Sequence, residues 1–272
     1  MRSRRVLPGT EVALLSDIFI VISIIALVFL AGTWRFEVYG LEVIPKNEAP
    51  LGKSYDFWID KYWNWFISLS TEEAPPRDGG CLIHKVDSMV MLMQPIFGGV
   101  RTQNCSISSG DNETGIMIPL WTAWCDTGAN LDDISDPSVN INQKLTKCAR
   151  EVYNLGNIGS EVKVDNMPVA NLNVRMSLNP DSSLDYRINS MNNVTEIYSD
   201  GFNLTIPSNS HLPDLVPGEW RAGSHGWWVF LQNLARGEHT IFYNVRVLPT
   251  GSTSSPGVNP TSTDVTYNLK VN

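Results

Sequence analysis

The residues with the most chemical potential are four cysteines, Cys81, Cys105, Cys125 and Cys148. Thiols either ligate a metal or pair. No C-x-x-C spacing occurs and His84 is the only imidazole nearby, so the pattern suits zinc poorly. An even count suits disulfides made in an oxidising compartment. Three connectivities are open from sequence; Cys81–Cys105 and Cys125–Cys148 are favoured because each pair brackets a compact stretch. An acidic loop follows Cys125. Its Asp126, Asn130, Asp132, Asp133 and Asp136 offer the oxygen ligands that extracellular calcium modules use. Their spacing is not that of an EF-hand, and an ordinary Asp/Asn turn region is the favoured reading. His211, His225 and His239 could form a metal or acid–base site only if the fold gathers them; a hydrogen-bonded structural histidine is the default. No G-x-S-x-G, H-E-x-x-H, P-loop or G-x-G-x-x-G motif occurs. A carboxylate pair could hydrolyse a glycoside, but the separation decides that. Trp65, Trp121, Trp124, Trp220, Trp227 and Trp228 are candidates for sugar stacking or a protein hot spot. Trp227 and Trp228 are adjacent, so in a strand they point to opposite faces and one belongs to the core.

The elements that must position these residues begin with an apolar block. Val12 to Trp34 carries a single charge, Asp17, and its centre from Ile18 to Gly32 is apolar except for Ser23. As a helix it reaches about 34 Å, enough for a hydrocarbon core of about 30 Å. Arg2, Arg4 and Arg5 place residues 1–11 in the cytoplasm, and Trp34, Phe36 and Tyr39 fall where an outer aromatic belt sits. A cleaved signal peptide is the rival reading, with Ala31-Gly32-Thr33 as a poor cleavage site. Either reading exports the rest. Removing Arg2, Arg4, Arg5, Glu11 and Asp17 from the totals leaves 17 basic and 26 acidic residues, a net charge of −9 against −8 for the 272-residue chain. That balance, with no basic patch, argues against nucleic acid as a partner. Four N-x-S/T acceptors, Asn104, Asn112, Asn193 and Asn203, agree with export and make a glycoprotein plausible.

Residues 35–53 read as a linker. From Ser54, a capping residue, Tyr55, Trp58, Ile59, Tyr62, Trp63, Phe66 and Leu69 recur at three- and four-residue intervals, which predicts an amphipathic helix. Its stripe suits core packing, a membrane-surface position or a partner platform, and Phe57 and Trp65 lie off it. Asn140 and Gln143 resemble a capping box for a second helix, with Ile141, Leu145, Cys148 and Val152 on one face. Strands are predicted over Val86–Gln94 and Ile116–Trp124, with Pro119 marking an end, a bulge or an edge. Further strands are predicted over Glu161–Val164, Val169–Leu178, Phe202–Ile206, Gly226–Leu234, His239–Leu248 and Val265–Val271. Asp165-Asn166 fits a hairpin turn. The expectation is one mainly β domain over residues 54–272, an antiparallel sandwich or jelly-roll with one or two packed helices.

Gly52-Lys53-Ser54-Tyr55, followed by Trp58, Trp63 and Trp65, resembles the GKSY-x-x-W-x(4)-W-x-W opening of a family of uncharacterised exported microbial proteins. The likeness continues through Cys105, Pro119, Cys125, Val164-Asp165, Pro168-Val169, Gly237-Glu238-His239-Thr240-Ile241 and Asp264-Val265-Thr266-Tyr267. The family's C-x-V-P-x-G-K turn is replaced here by Cys105 leading into Ser108-Ser109-Gly110-Asp111-Asn112. The resemblance implies a secreted or surface-anchored single domain and no particular activity.

Three functions are therefore open. The chain is expected to be a binding or structural module of the cell envelope, for a glycan or protein ligand, held by one membrane helix. An accessory subunit of a membrane complex is the alternative, and an extracellular hydrolase the third. No cofactor is expected beyond calcium at the acidic loop.

Overall fold

Ser54 lies in extended backbone, and its hydroxyl accepts a hydrogen bond from the Phe57 N–H at 3.3 Å. That cap starts helix α1, Tyr55–Ser68, in which Trp58, Ile59, Tyr62, Trp63, Phe66 and Ile67 are buried along one face. The structure is a computed structural model that describes residues 41–74, 78–95, 99–108, 114–128, 140–151, 157–178, 184–188, 193–212, 214–248 and 261–272, within the compact unit Tyr39–Asn272. The expected membrane segment 12–34, its flank 1–11 and the start of the linker lie outside the described residues. None of the described helices is long and apolar enough to cross a membrane.

The strands in chain order are β1 (Glu42–Val43), β2 (Ile83–Val86), β3 (Met89–Leu92), β4 (Gly99–Ile107), β5 (Gly115–Asp126) and β6 (Asn157–Val164). Then follow β7 (Met167–Leu178), β8 (Leu184–Ile188), β9 (Thr195–Tyr198), β10 (Phe202–Ile206), β11 (Gly218–Gln232), β12 (Gly237–Leu248) and β13 (Thr261–Val271). A second helix, α2 (Ile141–Glu151), follows β5. One sheet has the order β1–β11–β5–β3–β2, with β9 and β10 also pairing β11. Because β5 occupies one edge of β11, the strands β10, β9 and β1 share the other edge in series. The second sheet runs β4–β13–β12–β6–β7–β8.

The fold is mainly β, but the sheets are mixed rather than wholly antiparallel as expected. Strand β3 pairs β5 in parallel, and β13 pairs β4 in parallel. Sequence periodicity reports which face a residue occupies and is silent on strand direction, which is set by connections between distant segments. The expected Val86–Gln94 strand is split by Asp87, whose φ of 51° turns the chain between β2 and β3. Asp165 and Asn166 do form the hairpin turn, both with positive φ (50° and 66°), joining β6 to β7. Pro119 sits at a slip in the ladder: Trp228 faces Pro119 while Trp227 faces Trp121, leaving Leu120 as the extra residue.

Alternation sorts β11 into two faces. Trp228 and Phe230 join α1 in one apolar cluster, with Tyr62 edge-on to Trp228 at 4.9 Å. Trp63 donates its Nε1–H to Ser224 Oγ at 2.8 Å on the same face. Hydroxyls join the two sheets: Tyr243 donates to the Met93 carbonyl, and Tyr267 to the Leu82 carbonyl at 2.8 Å. Burial pushes the Tyr62, Tyr243 and Tyr267 phenols above their ordinary range, so they stay neutral.

Two strand edges are covered. The Asn64 amide on α1 donates to Asn203 O (2.9 Å) and accepts from Thr205 N–H (3.2 Å), so one side chain imitates a strand neighbour for β10. Gly79 N–H donates to Thr102 O and Asn104 N–H to Gly80 O, both at 2.7 Å, laying residues 78–80 along β4. The Cys81–Cys105 disulfide locks that contact.

Candidate functional site

Period-two alternation in β9 buries Thr195 and Ile197 and turns Glu196 and Tyr198 outward. The pairing with β11 sets Tyr198 beside His225 and Glu196 beside Trp227. The result is a small network. His225 Nε2 lies 2.9 Å from Glu196 Oε1, and Tyr198 donates its hydroxyl to the same oxygen at 2.6 Å. The Tyr198 ring stacks on the His225 imidazole with centroids 4.4 Å apart, and Trp227 meets that imidazole edge-on at 4.9 Å. The His225 side chain is wholly buried, whereas Tyr198 is 42% exposed. Burial lowers the His225 pKa below the usual histidine value. The Glu196 carboxylate opposes that shift, and the Arg150 charge adds to it.

Helix α2 walls this network on one side. Its seat is Gly223, where a Cβ would lie 2.7 Å from Thr146 N and 2.8 Å from Leu145 Cβ. Only a residue without a side chain lets the helix backbone approach the strand so closely. Leu145 and Ala149 are the buried residues of the helix, and Cys148 joins Cys125 of β5 in a disulfide. Thr146 donates its hydroxyl to Ser199 O at 2.9 Å, and Arg221 donates Nε–H to Asn142 Oδ1 at 3.0 Å. Between helix and strand lies a hollow of about 500 Å³, lined by Asn142, Gln143, Lys147, Arg150, Tyr198 and Asp200 among others. A second hollow of about 420 Å³, lined by Lys46, Glu48, Tyr55, Asp56 and Glu196, opens on the other side of Tyr198. Tyr198 lines both. Burial raises the Asp56 pKa, although its carboxylate accepts the Asp200 N–H at 3.2 Å.

No family model, curated protein or solved structure matches this chain.

Several residues singled out in the sequence have partners within the fold. The cysteines pair as Cys81–Cys105 and Cys125–Cys148. Trp227 and Trp228 are both interior, 1% and 0% exposed, so neither reaches a ligand at the surface. Trp124 packs on Trp63 and donates to Asp126 Oδ2 at 3.2 Å. Trp220 is cradled by Gly128 and Gly218 and donates to Val216 O at 2.7 Å. Trp65 stacks on His84 with rings 9° apart, and Trp121 is half-buried opposite Trp227. Asp126 is 4% exposed, and its other carboxylate oxygen accepts the Gly128 N–H at 2.8 Å. Asn130, Asp132, Asp133 and Asp136 lie outside the described residues. Among the described residues, no group of three His, Cys, Asp or Glu could hold a metal ion.

The three histidines are not gathered. His211 Nδ1 lies 3.2 Å from Leu69 O, and His239 bridges Asp165 Oδ2 (2.8 Å) and Ala235 O (2.9 Å), clamping two turns together. Among the acceptors, Asn104 and Asn203 are exposed on β4 and β10. Asn193 is half-buried and donates to Val169 O at 2.7 Å, and Asn112 lies outside the described residues. The residue that sequence reasoning missed is Tyr198. The alternation Thr195-Glu196-Ile197-Tyr198 carried the signal, but four residues are too short a run to claim a strand against the more obvious tryptophans.

Proposed function

We propose that the chain is a membrane-anchored, extracytoplasmic binding module of the cell envelope, with residues 12–34 as the anchor and the two sheets as the faces of one β-sandwich. The observation that carries the binding reading is the polar hollow between α2 and β9. Amide, hydroxyl and charged groups line it, and two fixed walls, one tied down by a disulfide, hold its shape. A preformed concavity of this volume with a few convergent polar groups is the usual form of a ligand site. Oxidised cysteines and exposed N-x-S/T asparagines support the exported location, as does the resemblance of the GKSY opening to surface-anchored proteins. The accessory-subunit reading loses support because the aromatic stripe of α1, its expected docking face, is committed to the core.

Two experiments test this. Alkaline extraction and protease digestion of intact cells should leave the protein in the membrane fraction with residues 41–272 cleavable from outside. Full-length bait should capture one envelope component from native membranes, and Gln143→Trp, which fills the hollow from an exposed position, should lose it. Release by alkali, or capture indifferent to Gln143→Trp, would refute the corresponding half of the proposal.

A further inference from the structure

We infer that Tyr198 is a stacking platform for a pyranose unit of an extended glycan whose neighbouring units occupy the two flanking hollows; this rests on the binding-module reading above. Among the residues whose side chains are described, Tyr198 is the only exposed aromatic. All the tryptophans described are buried or half-buried. An aromatic ring left at the surface is usually mobile, and ordering it on binding costs side-chain entropy. That cost is already met here: His225 supports one ring face at 4.4 Å, and Glu196 fixes the hydroxyl at 2.6 Å. The platform is preorganised.

The ring chemistry suits a sugar. A pyranose has a face of C–H bonds, slightly positive, and a rim of hydroxyls. The electron-rich face of an aromatic ring attracts the former. Donation of the Tyr198 hydroxyl to a carboxylate raises the electron density of that ring further. The rim needs groups that both donate and accept, and the hollows present them on each side: Asn142, Gln143 and Asp200 on one, Ser54, Asp56 and Glu48 on the other. Because Tyr198 alone belongs to both hollows, a ligand centred on its ring must extend both ways. A chain of sugars does so; a monosaccharide fills only the middle.

The test uses the full-length protein in a zwitterionic detergent without a sugar headgroup. Calorimetry and saturation-transfer NMR are run against gluco-, manno- and N-acetylglucosamine oligomers, from monosaccharide to hexasaccharide. At least one series should bind more tightly as the chain grows from one unit to three, with saturation concentrated on ring C–H protons. Tyr198→Ala should weaken that binding about tenfold or more, and Tyr198→Phe, which keeps the ring, by about threefold or less. Phe242→Ala, on β12 and lining neither hollow, should leave it unchanged. Sugar binding indifferent to Tyr198→Ala overturns the platform and leaves the binding module standing. If no sugar binds, the glycan inference fails, and the membrane capture with Gln143→Trp decides the module separately.

Discussion

Removal of the Cys125–Cys148 disulfide should release helix α2 and dismantle the hollow while both sheets stay folded. The bond spans 23 residues of sequence. Chain-entropy closure of a loop of that length amounts to about 11.5 cal/mol/K, or about 3.4 kcal/mol at 25 °C. Against this, α2 buries only Leu145 and Ala149, roughly 2–3 kcal/mol of apolar transfer, beside bonds such as Thr146 to Ser199 O and Arg221 to Asn142. Without the tether those contacts barely offset the entropy of ordering the helix. The Cys81–Cys105 bond spans 24 residues, so its entropic contribution is nearly equal. The strip it holds, however, keeps two backbone bonds to β4 and a third contact from Thr102 N–H to Asp78 at 2.6 Å. Serine replacement of either pair should therefore cost a similar global stability, about 3 kcal/mol. In a protein of this size that is roughly 6–12 °C in Tm. Hydrogen exchange should separate the two: amides of residues 144–151 lose protection only when Cys125 and Cys148 are replaced. Equal protection of α2 in both variants would mean that packing, not the disulfide, holds the helix.

Other expectations follow from the same contacts. Gly223→Ala places a Cβ against the backbone of Thr146 and should cost about 1–3 kcal/mol in urea unfolding, with local loss of α2 protection; an unchanged midpoint would show that the helix can shift freely. Asn64→Leu keeps the volume of the side chain but strips β10 of both edge bonds, so stability should fall by about 1–3 kcal/mol and light scattering should report association through the bared edge. Burial lowers the His84, His211 and His225 pKa values in the folded state below the ordinary 6.5, so the unfolded chain binds more protons as acid is added. Stability is thus full above about pH 6.5 and declines as pH falls through the histidine window, before carboxylates such as Glu73 titrate. Replacing His225 with Gln should flatten part of that decline in urea midpoints measured from pH 7 to pH 5, and a slope unchanged by the replacement would contradict its assignment to this buried imidazole.

Local physics made much of the molecule legible from its residues. Ser54 and the aromatic stripe after it specified α1, because capping and a 3.6-residue period act within one helix. Asp165-Asn166 specified a hairpin turn, because few residues accept positive φ. The adjacency of Trp227 and Trp228 specified that they divide between two faces. The spacing of the cysteines favoured the pairing observed, since each pair brackets a compact stretch. Tertiary structure decided the rest. The parallel partners of β3 and β5 and of β4 and β13 come from segments whose own patterns carry no direction. That both Trp227 and Trp228 are buried, Trp228 in the cluster with α1, is decided by what packs on β11 and not by the strand's own pattern. Most of all, Tyr198, His225 and Glu196 are brought together only by the register of β9 on β11. An exposed ring becomes a rigid platform through neighbours distant in sequence, and no composition or local period encodes that meeting.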